Sequence, residues 1–162
     1  MKSLTQGILI LIICVGSVAA QQRRLPRFQD YPVHENYKGK IASVKIRTSS
    51  DRMFRTMLRL SAKDGVNFAG HYIIGVWGCG ADCHSFAIIN AKTGTVYHLE
   101  ASSVSGQLYQ GDEDRIQFRK NSRLLILAGA KNVEEIGKFY YEWKNSRLRL
   151  IRKTELKLET PK

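Results

Sequence analysis

The sequence predicts an α+β fold: a mainly antiparallel β-meander of about seven or eight strands with one packed helix, forming a curled or propeller-blade-like sheet. Two observations lead to this prediction. Short runs of alternating or apolar residues recur along most of the chain, and the connections between them are too short for parallel crossovers. Residues 49–62 instead carry apolar side chains at helical spacing. The chain has 162 residues, which suits a single hydrophobic core.

The first twenty residues have the pattern of an export signal. Lys2 provides a charged start, an apolar run follows, and Val18 and Ala20 occupy the small-residue positions before a cleavage point. The apolar run is shorter than the roughly 20 residues that span a bilayer. We therefore predict a signal peptide at 1–20, a periplasmic or secreted protein, and no transmembrane span in its mature form.

Three elements are predicted before the main run of strands. Residues 21–40 are polar, contain proline and show no period, which predicts an exposed N-terminal arm. A single β-rich domain then occupies residues 41–162. It starts with residues 41–47, "IASVKIR", whose alternation is typical of a half-buried strand. Residues 49–51 offer a cap for the helix, and its buried face is expected to contain Met53, Phe54, Met57 and Leu58.

The rest of the domain is predicted to be strand and turn. The expected strands are residues 71–77, 85–90, 95–100, 115–120, 123–129, 138–143 and 147–153. The short turns between them make sequence neighbours antiparallel. The run "LLILA" at 124–128 is apolar on both faces, which predicts a central strand with one face under the helix.

Two cysteines, Cys79 and Cys83, lie between two predicted strands. In an oxidising compartment they are expected to form a disulfide that fixes the turn. Zinc binding with His71 and His84 is the alternative, but strand pairing across the turn places these histidines on different faces. The motif also lacks the helix start of thiol-exchange enzymes. No metal and no cofactor is expected.

Facing cysteines also set the strand pairs of this hairpin. The expected partners are Trp77 with Ser85, Gly75 with Ala87, and Ile73 with Ile89.

Candidate catalytic residues are few. His71 stands beside Tyr72, and His98 and Glu100 would share one face of a strand, where they could act as an acid–base pair. No Gly-x-Ser-x-Gly elbow, His-Glu-x-x-His motif or phosphate-binding glycine loop accompanies them. Enzymatic activity is therefore uncertain, and these three residues are its only candidates: His71, His98 and Glu100.

Positive charge is the strongest compositional signal. The formal net charge is +12, and removal of the signal peptide lowers it by one. Such a protein concentrates near polyanions. Two stripes are predicted to bind anions: Arg52, Arg55, Arg59 and Lys63 on the helix, and Arg147 and Arg149, with Lys153, on one side of the last strand. The aromatics of residues 138–143 alternate like a core face, so no specific nucleic-acid binding is expected.

A resemblance supports the exported location. The run "FAGHY" at 68–72, "WGCG" at 77–80, Cys83 and the turn at 93–94 together resemble a group of small exported bacterial proteins without an assigned activity. The likeness covers mainly residues 66–97, with a looser similarity in the later strands. It implies a bacterial source, a periplasmic or secreted address, and a disulfide between the two cysteines.

Two functions are consistent with these observations. The first is an exported, disulfide-stapled basic binding module of the bacterial envelope, such as an inhibitor- or immunity-type protein, whose partner is an acidic protein or an anionic envelope polymer. The second is a small periplasmic hydrolase or cell-wall enzyme with a histidine-centred site. The binding module is favoured because no nucleophile, base and orienting group occur together in the sequence.

Overall fold

The computed structural model describes residues 24–106 and 114–156, so the predicted signal peptide lies outside the described residues. Helix α1 spans Ser49–Met53 and α2 spans Arg55–Lys63. The strands, in chain order, are β1 Tyr72–Gly80, β2 Cys83–Asn90, β3 Val96–Tyr97, β4 Ser103–Ser105, β5 Ile116–Phe118, β6 Leu124–Lys131, β7 Glu135–Lys144 and β8 Arg147–Thr154.

All eight strands belong to one antiparallel sheet that does not close, which confirms the predicted fold class. The order is β1-β2-β4-β6-β7-β8; β3 pairs with β2, and β5 pairs with β6. In the described part of the chain, β4 is the strand that pairs with both β2 and β6. It therefore joins a half made of β1–β3, the helix half, to a half made of β5–β8, the arm half.

The sheet curls around its main core. Side chains from both halves meet on the concave face, and the rings of Tyr72 on β1 and Trp143 on β7 lie 5.1 Å apart, edge to face. Phe68, fully buried, contacts Trp143 and Phe118 at the centre of this cluster. Strands from opposite ends of the order are brought together in this way, as in an incomplete barrel.

The two helices cover the convex face of the helix half. Leu58 is fully buried there, in a cluster with Ile73 and Trp77, and the Phe54 ring lies 4.9 Å from that of Trp77. The helix packs so closely that a Cβ at Gly75 would collide with the Ser61 side chain.

The predicted buried face of the helix is partly wrong. Met53 is 75% exposed and Met57 is 44% exposed, whereas Leu58 is buried as expected. The helix breaks at Phe54, where φ is −101° and ψ is 15°, and the phase of α2 follows the spacing of Phe54, Leu58 and Ala62. The cap also differs, because the Thr48 side chain accepts a hydrogen bond from the Asp51 amide.

Residues 24–40, predicted to form an exposed arm, begin against the arm half of the sheet and reach the helix half at Tyr37, and we call them the arm segment. Most of its side chains are exposed, but Phe28 and Tyr31 pack on the convex cluster of Leu124, Ile126 and Tyr140. The central strand β6 is therefore apolar on both faces, as predicted, but its outer face lies under the arm segment. The prediction that the helix covers it is wrong.

Residues 41–47 are extended but form no strand. Their burial alternates as predicted, yet only isolated backbone bonds attach them to the sheet, from Ala42 N to Ala91 O and from Lys45 N to Gly94 O. The eighth strand is β4 instead. It consists of Ser103–Ser105, whose polar composition gave no strand signal.

The β1–β2 hairpin agrees closely with its prediction. The expected pairs of Trp77 with Ser85, Gly75 with Ala87, and Ile73 with Ile89 are all present. Cys79 and Cys83 form a disulfide with a Cα–Cα distance of 5.1 Å. One extra residue interrupts the pairing between Gly78 and Gly80, and Gly80 has a φ of 134°, a conformation that favours glycine.

Strand β8 carries a bulge that changes which residues share a face. Tyr141 pairs with Leu150 whereas Tyr140 pairs with Arg152, so Ile151 is an extra residue. Lys153 consequently lies on the concave side, bonded to Glu135 and 5.5 Å from the Phe139 ring centroid. The prediction that Lys153 shares a side with Arg147 and Arg149 is therefore wrong.

Candidate functional site

The candidate site is a cleft of about 510 Å³ between residues 97–101 and the concave side of the β7–β8 hairpin. We call it the cleft. Its apolar walls are formed by Tyr97, Leu99, Ala101, Tyr141, Leu148 and Leu150, and its polar groups come from His98, Glu100, Lys131, Ser146 and Arg147. The cleft thus brings together three residues that the sequence analysis assigned to two different functions: His98, Glu100 and Arg147.

The partner of His98 differs from the one predicted. Strand β3 ends at Tyr97, so strand alternation does not pair His98 with Glu100, although both line the cleft. His98 Nε2 instead lies 2.8 Å from Asp51 Oδ1. The Asp51 side chain is only 4% exposed and that of His98 is 26% exposed. The imidazole therefore links Asp51, in helix α1, to the wall of the cleft.

The carboxylate of Asp51 is held by several donors. Its Oδ2 accepts hydrogen bonds from the amides of Thr48, at 2.7 Å, and Arg47, at 2.8 Å. Burial acts to raise the pKa of Asp51, but these hydrogen bonds and the one to His98 outweigh it, so the pKa is lowered. An ionised carboxylate beside an imidazole can orient it as a base. Among the described residues, however, His98 has no hydrogen bond to a hydroxyl or thiol nucleophile.

Lys131 and Tyr141 line the cleft but were missed by the sequence analysis. Lys131 and Lys153 each place Nζ 2.7 Å from a carboxylate oxygen of Glu135. The hydrogen bond to Glu135 raises the pKa of Lys131, and the two lysines lower the pKa of Glu135 to about 2. Burial raises the pKa of Tyr141. A lysine and a glutamate that flank the turn at 132–134 are the sequence signal that could have indicated this ion pair.

The tip of the β7–β8 hairpin supplies the remaining polar groups of the cleft. Ser146 Oγ lies 3.3 Å from the phenol oxygen of Tyr97, which joins the hairpin to the opposite wall. Arg147 lines the cleft and forms no ion pair with a described residue. Arg149, also predicted to bind anions, points to the convex side, where its strand partner is Glu142.

His71 lies in a separate pocket. Its ring is 4.2 Å from that of Tyr72, and its neighbours there include Glu35, Lys92 and Arg123. Burial and then the charge of Lys92 lower the pKa of His71, so the neutral imidazole is favoured. The structure does not place His71 and His98 in one site.

The predicted basic stripe on the helix is exposed. We call its members, Arg52, Arg55, Arg59 and Lys63, the helix stripe; none forms an ion pair within residues 24–106 and 114–156. Arg52 donates one long hydrogen bond to the carbonyl of Arg47. Beside the stripe, α2 also exposes Met57 and Leu60, at 44% and 50%. The outer side of α2 therefore combines cations with accessible apolar side chains.

Comparisons with protein-family models, with curated proteins and with solved structures found no match to this chain. Within the described residues, no group of three or more His, Cys, Asp or Glu side chains is arranged to hold a metal ion. The described helices are also all too short or too polar to cross a membrane.

Proposed function

We propose that this protein is an exported cationic binding module of the bacterial envelope, and that the helix stripe contacts an acidic protein or an anionic envelope polymer. An inhibitor- or immunity-type protein would act in this way. The disulfide supports an oxidising compartment, and the N-terminal sequence pattern supports export. The observation that carries the proposal is that no side chain of the helix stripe forms an ion pair with another described residue.

Several basic side chains of the sheet region are already engaged within the fold. Arg115 lies 3.3 Å from Asp82, Arg123 lies 3.1 Å from Glu142, and Lys131 contacts Glu135. The positive charge of α2 has no such partner among the described residues. The positive electrostatic potential of this helix surface therefore extends into the solvent. There it attracts anionic partners and increases the rate at which they associate with the protein.

The geometry of α2 suits a repeating anionic partner. Arg55 and Arg59 are four residues apart and Lys63 is four further on, which aligns them along one side of the helix. A guanidinium group can bind a carboxylate or a phosphate through two parallel hydrogen bonds. Leu58, buried in the sheet cluster, fixes the rotation of the helix, so the stripe is presented in one orientation.

Binding is favoured over the histidine-centred hydrolase because the groups around His98 already have structural tasks. Asp51 accepts hydrogen bonds from the amides of Arg47 and Thr48, just before α1, and its Oδ1 lies 2.8 Å from His98 Nε2. Its carboxylate is thus explained by helix capping, without a catalytic role.

The test is binding of the exported protein to two defined polyanions, poly-glutamate for acidic protein surfaces and polyphosphate for phosphate-bearing polymers. The variant Arg55→Gln, Arg59→Gln, Lys63→Gln removes three charges from α2. We expect its affinity for at least one polyanion to fall by more than about tenfold, and the wild-type affinity to decrease steeply as salt is raised.

A matched control removes the same charge elsewhere. Lys38, Lys40 and Lys45 are exposed basic residues outside the helix, and their replacement by Gln lowers the net charge equally. This control should retain affinity within about threefold, because only the general attraction changes. Equal losses in the two variants, or no loss in the α2 variant, would contradict the proposal.

A further inference from the structure

We propose that the outer surface of α2 binds the anionic surface of a phospholipid bilayer, with apolar side chains inserted among the lipids and cations on the head groups. This inference rests on the proposed function to the extent that the helix stripe supplies the positive charge for both. It adds a set of exposed apolar side chains, which we call the apolar row: Met57 and Leu60 on α2, with Met53 at the end of α1.

The apolar row is exposed to water in the folded protein. Met53 is 75% exposed, Met57 is 44% exposed and Leu60 is 50% exposed. Single apolar residues at a protein surface need no explanation, but a group of them marks contact with a partner or a membrane. Met57 and Leu60 are three residues apart, so their side chains are neighbours on the surface of α2. They form a surface that a partner can cover.

Buried Leu58 fixes the direction in which this surface points. An α-helix turns by about 100° per residue, so Leu60 lies about 200° from Leu58, almost on the opposite side of α2. Met57 lies on one flank of Leu58, whereas Arg59 and Lys63 lie on the other. The outer surface of α2 is therefore divided along its length into an apolar side and a cationic side, and both face water.

No acidic side chain interrupts this surface within α2. The sequence of Arg55–Lys63 contains neither Asp nor Glu. Asp51 is buried in α1, and Asp64 comes after the last turn of α2 as its C-cap. The cations of the helix stripe consequently act together on an anionic surface, and each Lys or Arg close to such a surface adds to the attraction.

A bilayer surface offers the two matching layers side by side. Its charged head groups lie directly above the acyl chains, and an interfacial helix buries its apolar side about 5–10 Å into this boundary. The long stems of Arg and Lys let their charged ends stay with the head groups. A soluble polyanion would contact the helix stripe but leave Met57 and Leu60 in water. The combination of both sides therefore favours an anionic bilayer as the partner.

The experiment measures co-sedimentation of the exported protein with two kinds of lipid vesicle. One contains phosphatidylcholine alone, and the other contains about one-third phosphatidylglycerol, which makes its surface anionic. We expect at least about tenfold stronger binding to the anionic vesicles. The variant Arg55→Gln, Arg59→Gln, Lys63→Gln should lose at least about tenfold of this affinity, because it removes the charges that face the head groups.

A second variant separates insertion from charge attraction. Met57→Gln combined with Leu60→Gln keeps every cation but should weaken binding to anionic vesicles at least about fivefold, because less apolar surface enters the lipid. Its affinity for poly-glutamate and polyphosphate should stay within about twofold. The matched control combines Val133→Gln with Ile136→Gln. These residues are 75% and 61% exposed and also three apart, and the control should bind vesicles within about twofold of wild type.

Methionine methyl groups report insertion without a substitution. The chain that follows residue 20 has two methionines, Met53 and Met57, and both belong to the apolar row. In protein labelled at its methionine methyls, the Met57 signal should broaden on anionic bicelles that contain lipid spin-labelled near the top of its acyl chain. A Met57 signal that stays sharp while the protein is bound would contradict insertion and overturn the inference.

Two further results would overturn it. The first is equal binding, or no binding, to the two kinds of vesicle. The second is an equal loss of vesicle and polyanion binding in the variant of Met57 and Leu60, which would indicate a soluble partner on the apolar row. The two proposals also fail separately: polyanion binding without vesicle binding contradicts this inference alone, whereas vesicle binding without polyanion binding contradicts only the proposed function.

Discussion

Helix α2 and the arm segment cover the two halves of the convex sheet face, α2 over β1 and β2 and the arm segment over β6 and β7. The helix is held by side-chain burial, since Leu58 is completely enclosed. The arm segment packs only half-buried side chains on the sheet clusters, Phe28 and Tyr31 on the convex cluster of β6 and β7, and it is also attached through its backbone. The comparison shows that one sheet face can be covered by two kinds of interaction.

Backbone attachment of the arm segment centres on the turn before β6. The Ser122 hydroxyl bonds to the carbonyls of Phe28, at 2.8 Å, and Tyr31, at 3.2 Å, and accepts from the amide of Leu124 at 3.1 Å. The amide of Arg123 donates to Tyr31 O at 2.8 Å. These bonds explain why a segment without hydrophobic period still lies on the sheet.

The largest effect is expected from shortening the side chain that anchors α2. Leu58→Ala should lower the free energy of unfolding by about 2–5 kcal/mol, because it leaves a cavity in a closed apolar cluster. Urea unfolding measures the change. Met57→Ala is the matched control on the exposed side and should change stability by less than about 0.5 kcal/mol. Similar losses in the two variants would mean that the helix is rotated relative to this structure.

A smaller effect is expected at the attachment of the arm segment. Ser122→Ala removes a buried hydroxyl with three partners and should cost about 1–3 kcal/mol. Hydrogen exchange should also accelerate at Arg123, whose amide bonds to Tyr31 O, but not at Leu58. Ser43→Ala, at an exposed position, provides the control. Unchanged exchange at Arg123 would show that the hydroxyl does not hold the arm segment.

The smallest of the three effects concerns Asp51 and depends on pH. The pKa of Asp51 is below its usual value of 3.8 in the folded protein, so its ionised form stabilises the fold above that pH, and this contribution is lost as pH falls through the folded pKa. Asp51→Asn should cost about 1 kcal/mol at neutral pH, because its side chain would accept weaker hydrogen bonds from the amides of Arg47 and Thr48.

The same variant therefore should approach wild-type stability in acid. Unfolding curves at pH 7 and at pH values below 3.8 measure the difference. Asp30→Asn is a useful comparison, because the carboxylate of Asp30 accepts from the Arg27 amide in the exposed arm segment. A penalty for Asp51→Asn that is equally large at both pH values would contradict the linkage.

The parts of the fold that depend on the local spacing of apolar residues were predictable from the sequence. The β1–β2 register followed from alternation and from the two cysteines, because pairing one residue fixes every other pair in a hairpin. The helix was found by its spacing, but its buried face was not. All four candidates, Met53, Phe54, Met57 and Leu58, are apolar, so composition alone does not show which of them are buried. The break in the helix at Phe54 sets the rotation of α2, and this rotation buries Leu58 and exposes Met57.

Those parts that depend on distant segments were not predictable. The cleft combines residues 97–101 with a hairpin more than 40 residues later, so no local pattern places His98 near Arg147. Asp51, the actual partner of His98, lies 47 residues away in sequence. The covering of β6 by the arm segment is equally non-local, since Phe28 and Tyr31 show no period that identifies a packed face.

The bulge in β8 has a consequence for self-association. Strand β8 ends the described strand order, so one side of its backbone lacks a partner strand among the described residues, and such edges can template growth of cross-β fibres. The extra residue Ile151 breaks the regular spacing that a second copy would need for pairing. Arg147 and Arg149 also give this edge strand positive charge in every copy, which opposes pairing of two copies. The edge is thereby protected from polymerisation while remaining accessible to water.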